Sequence, residues 1–122
     1  MVLAWVGILA GFASGLVLGL FFHREDWLAG YASFRRRLYR LAHISLFGLG
    51  AVNLLFYFTT HALSAPGMMC AVASRAFVAG AISMPICCVV VAHFPRSRML
   101  FSVPVLSLLT GGALTLIKVI NP

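Results

Sequence analysis

Four apolar runs, at residues 2–22, 41–60, 76–93 and 99–117, constrain this chain more than any other feature of its sequence. Each is near the ~20 residues that cross a bilayer as an α-helix. Only 9% of the 122 residues are charged and 62% are hydrophobic, whereas a water-facing domain carries about 25% charge. The expected fold is all-α: an integral membrane four-helix bundle, forming a single transmembrane domain over 1–122. Short polar connectors make consecutive helices antiparallel neighbours. Ala65-Pro66-Gly67 is a turn signal between the second and third runs. No cleavable leader is expected, because the charges follow the first run instead of preceding it.

The basic residues orient this bundle. Arg24, Arg35, Arg36, Arg37 and Arg40 lie in the first connector, and Arg96 and Arg98 lie in the third. Antiparallel order puts both connectors at one membrane face, opposite Arg75 and Lys118. The positive-inside rule then places the arginine side in the cytoplasm and both termini outside. The formal net charge is +7, with Glu25 and Asp26 the only acids. In an apolar chain that balance points to topology and to anionic lipid headgroups, not to nucleic acid. The expected location is a bacterial inner membrane.

Within the first connector, Trp27, Tyr31, Phe34 and Leu38 recur at three and four residues, and Arg35, Arg36, Arg37 and Arg40 fill most of the other face. Aromatic anchors beside a basic face predict one amphipathic interfacial segment on the cytoplasmic side, with Asp26 as a cap. Gly30 is the expected break, after which Ser33 onward runs straight into the second span. On this reading Trp27 and the four arginines contact headgroups or an acidic partner.

The spans also carry packing signals. Gly7, Gly11, Gly15 and Gly19 stand four apart, with His23 at the next step. They predict a groove on one helix face that admits a neighbour closely, as in small-xxx-small packing. The partner is expected to be either the small-residue seam of the third span, Ala73, Ala76, Gly80, Ser83 and Cys87, or another protein. In the second span His43, Gly50, Tyr57 and His61 share a face with Asn53 nearby, and a mid-membrane Asn is expected to hydrogen-bond an adjacent helix.

Chemistry-bearing residues are few. Cys70, Cys87 and Cys88 form no disulfide framework. Neither acid lies in a span, so no intramembrane carboxylate is available for proton relay. The chain is expected not to be an enzyme, and no resident cofactor or metal is assigned. The one candidate pair is His23 with His43, each above glycines that could admit a flat macrocycle. That pair is the basis of an alternative in which haem b or a quinone sits between the first two spans. The leading expectation is an accessory or structural subunit of a larger membrane complex, energy-transducing in its narrower form, with membrane lipids and other subunits as partners. A small oligomeric transporter or channel is the further alternative.

Overall fold

The computed structural model describes residues 1–63 and 67–121. They are helical almost throughout, in the order α1 (Val2–Phe21), α2 (Phe34–Ala62), α3 (Met68–His93) and α4 (Ser102–Ile120). Short 3-10 segments at Trp27–Ala29 and Pro95–Phe101 lie between them. All four helices are long and apolar enough to cross a membrane.

Two helices begin earlier than hydropathy suggests. α2 starts at Phe34, where the Ser33 side chain accepts the Arg36 amide and caps the first turn. Its 29 residues extend about 43 Å at helical rise, longer than the ~30 Å hydrocarbon thickness of a bilayer. α3 starts at Met68, eight residues before the apolar run. Arg75 lowers the local hydropathy, but its long exposed side chain can snorkel without ending the helix. Gly67 is the N-cap of α3, while Ala65 and Pro66 of the expected turn lie outside the described residues.

The helices pack as consecutive neighbours: α1 on α2, α2 on α3, α3 on α4. Each pair is antiparallel, as shown by Gly7 against Gly50 and Gly15 against His43, by Asn53 against Phe77 and Tyr39 against His93, and by Gly80 against Leu108 and Phe77 against Gly111. The arginine-bearing connectors therefore share one end. Among the described residues, α4 packs along neither α1 nor α2, so the bundle is an open row.

The α3–α4 contact uses part of the small-residue seam. A Cβ on Gly80 would lie 2.5 Å from a Leu108 methyl, and the Phe77 ring fills the space at Gly111. Ala76, a member of the same seam, is half-buried. The Cys87 thiol donates to the Leu100 carbonyl at 3.4 Å, joining α3 to the last connector. Pro85 lies inside α3 without ending it. In a bilayer the freed carbonyl would have no better conformation than the helix.

Candidate functional site

The glycine stripe docks on α2. At Gly7 the closest atoms are Gly50 Cα and the Leu46 carbonyl, both 3.3 Å from where a Cβ would stand. At Gly11 they are Phe47 Cβ at 2.9 Å and its Cα and N at 3.0 Å, and at Gly15 the His43 ring carbon at 2.7 Å. Gly50 returns the contact, with the Ala4 carbonyl and the Ile8 nitrogen at 2.9 Å. Neither expected partner, the third-span seam or another protein, receives the stripe. The connector between α1 and α2 is short, so the helix that follows reaches the groove first. Gly19 is exposed, with no neighbour within 4 Å, and does not take part.

The first connector is not an amphipathic helix. It is a tight turn built from Trp27–Ala29, with Leu28, Ala29 and Gly30 at φ of 54°, 67° and 98°. Positive φ at three successive residues reverses the chain and ends the three-and-four periodicity of the aromatic residues. The rings of Trp27 and Tyr31 turn a face to Arg36, and that of Phe34 to Arg98. The Arg36 guanidinium lies 4.0 Å from the Tyr31 ring centre, 4.6 Å from Phe22 and 5.5 Å from Trp27. It donates to the carbonyls of Phe22 and of Arg24, the latter at 3.3 Å. These groups follow the last turn of α1, where free carbonyls and the helix dipole both favour a cation.

This placement corrects the headgroup assignment for Arg36. Arg36 is 1% exposed and its charge is spent inside the protein. Trp27 is half-buried and stacks on Phe21 at 5.8 Å. Arg35, Arg37 and Arg40 remain exposed at that end, as do Arg96 and Arg98.

The histidines do not form a pair. His43 turns toward α1, its ring filling the notch at Gly15 and its Nδ1 lying 3.1 Å from Ser14 Oγ. His23 is exposed beyond the end of α1, about 12 Å further along at helical rise. A haem between the first two spans does not fit. The notch at Gly15 holds the His43 ring, and the notch at Gly50 holds the α1 backbone. His93 faces α2, 2.9 Å from the Tyr39 hydroxyl, while His61 packs on Tyr57 at 4.7 Å. Among the described residues no three His, Cys, Asp or Glu side chains gather into a metal site.

Free space lies elsewhere, between α1 and α3 over the face of α2. At mid-span it is a cavity of about 420 Å³ bounded by Val6, Ala10, Leu46, Asn53, Ile82 and Pro85. Toward the arginine end it continues past Leu46 and Pro85 into a cavity of about 360 Å³, bounded by Val17, Leu18, Trp27, Tyr39, His43 and Val89. Asn53 stands at the mid-span part. Its amide donates to the Leu49 carbonyl at 2.9 Å and reaches the Phe77 carbonyl of α3 at 3.5 Å. Two residues here escaped the sequence reading. Tyr39 precedes His43 by four on one helix, so their common face was legible from spacing. Ser14 carried no such signal, because its role depends on the α1–α2 register. Comparisons with family models, with curated proteins and with solved structures gave no match.

Proposed function

We propose that this chain is an accessory or structural subunit of a larger membrane protein complex in a bacterial inner membrane, with the arginine end in the cytoplasm and both termini outside. The orientation is supported by the clustering of basic residues at one end of the antiparallel row. The subunit reading is carried by the open edge at α4. That helix uses one face on α3, through Pro104, Leu108 and Gly111, and presents Leu106, Leu109, Leu116, Ile117 and Ile120 outward. Gly112 adds a notch with nothing within 4 Å. A glycine at mid-span lets a second backbone approach closely, which a purely lipid-facing helix does not require.

The test is the state of the protein extracted from its native membrane in mild detergent. The expected result is a stoichiometric complex with a different polypeptide, lost in Gly112→Phe while the four-helix fold is kept. A monomer, or a complex of this chain alone, would overturn the reading, and the second outcome would favour an oligomeric channel or transporter.

A further inference from the structure

One ring nitrogen at the arginine end of the groove is an acceptor with nothing to accept from. Ser14 Oγ lies 2.9 Å from the Gly11 carbonyl oxygen and 3.1 Å from His43 Nδ1. A carbonyl only accepts, and a hydroxyl has one proton to give. Both contacts are hydrogen bonds when Ser14 donates to Gly11 and His43 donates from Nδ1 to Ser14. The neutral ring then offers Nε2 as an acceptor. Among the described residues Nε2 has no partner, yet no sealed side-chain nitrogen or oxygen is left unsatisfied, so Nε2 is open to its surroundings. His43 also lines the cavity of about 360 Å³, a volume within the range of small-molecule sites.

The lining selects among donors. Trp27 and Tyr39 put aromatic groups at the same end as His43, whereas Val17, Leu18 and Val89 make the rest aliphatic. The Tyr39 hydroxyl is already engaged with His93, which holds its ring in place. Leu46 and Pro85 border both cavities, so an aliphatic path continues toward mid-membrane. We propose that this end of the groove binds a membrane-dissolved phenolic lipid, its hydroxyl donating to His43 Nε2, its ring between Trp27 and Tyr39, and its alkyl tail along Leu46. The ester region of a phospholipid brings only acceptors and cannot satisfy Nε2, and an aliphatic alcohol leaves the aromatic walls unused. This site lies at α1–α3 and does not depend on the subunit reading, which concerns α4.

The test uses the full chain in phosphatidylcholine nanodiscs, with Trp5→Phe so that Trp27 is the sole tryptophan. The probes are 4-decylphenol, its methyl ether and decanol, followed by Trp27 fluorescence and by the ¹⁵N resonance of His43 Nε2. Decylphenol should saturate both signals, the ether should bind about tenfold more weakly, the ratio for one lost hydrogen bond of ordinary strength, and decanol, which keeps a donor but brings no ring to the aromatic walls, should also bind more weakly than decylphenol. In His43→Phe the preference for phenol over ether should vanish. Equal binding of phenol and ether, or a stationary Nε2 resonance in the unmodified ring, would overturn the proposal. Decanol binding as tightly as decylphenol would overturn the aromatic head. The resonance is read without a His43 substitution, so the outcome stands even if His43→Phe fails to fold.

Discussion

The Arg36 guanidinium covers the Phe22 ring at 4.6 Å and donates to the carbonyl of the same residue. One side chain from the first turn of α2 thereby closes the end of α1. Substituting Arg36 by Gln removes the charge-assisted hydrogen bonds and the contacts with three rings. The expected loss is about 2–4 kcal/mol, from hydrogen bonds to a charged group plus cation–π contacts. Arg36→Lys should recover only part of this, since an ammonium cannot fork between two carbonyls while lying flat on an aromatic ring. Arg35→Gln and Arg37→Gln, both exposed, should change stability by less than about 0.5 kcal/mol. Reversible denaturation in mixed micelles separates the three. Equal effects at all three positions would show that position 36 has no special role.

The arginine cluster shows where sequence reading stopped. Charge and aromatic spacing marked 27–40 as an interfacial segment, and the residues are at that end of the molecule. Which arginine turns inward depends on the phase of α2, and that phase is fixed by the Ser33 cap and by a turn of positive φ that composition does not reveal. The four spans, their short connectors and their antiparallel order were legible because lipid permits so few alternatives. The open row was not legible, because hydropathy is the same for a closed and an open arrangement. His43 stood out by its chemistry, but its partner Ser14 lies 29 positions away and is brought to it only by helix register.

Ala29 occupies the left-handed region at φ 67° without being glycine. A side chain there costs roughly 1–2 kcal/mol through the clash of Cβ with the backbone. Ala29→Gly should therefore raise stability by about 0.5–1 kcal/mol after the greater entropy of the unfolded glycine is set against the relief. An unchanged or lower denaturation midpoint would mean that the turn does not hold this conformation.

Orientation is testable with single cysteines. Replacing Cys70, Cys87 and Cys88 and introducing Gly67→Cys or Ala32→Cys places an exposed thiol at either end. In intact cells a membrane-impermeant maleimide should label position 67 and spare position 32. The opposite pattern would invert the molecule, and the arginine end would then face outward against the positive-inside rule.

The α1–α2 interface gives the most graded prediction, because each glycine meets a different kind of atom. At Gly11 and Gly50 an added methyl would strike backbone at 2.9–3.0 Å, and backbone cannot yield without separating the helices. Gly11→Ala and Gly50→Ala should each cost roughly 1–3 kcal/mol, the usual range for overpacking. At Gly15 the obstacle is the His43 ring, which can rotate away. Gly15→Ala should cost less in stability but break the bond between Ser14 and His43, visible as a changed ring ¹⁵N pattern. At Gly7 the contacts of 3.3 Å need a shift of only a few tenths of an ångström, so Gly7→Ala should be milder than Gly11→Ala. Gly19→Ala meets nothing and should be neutral or slightly stabilising, since alanine is the better helix former by about 1 kcal/mol. The ranking is read from unfolding midpoints of five single variants. Equal costs along the stripe, Gly19 included, would mean that the glycines serve the flexibility of α1 and not its docking on α2.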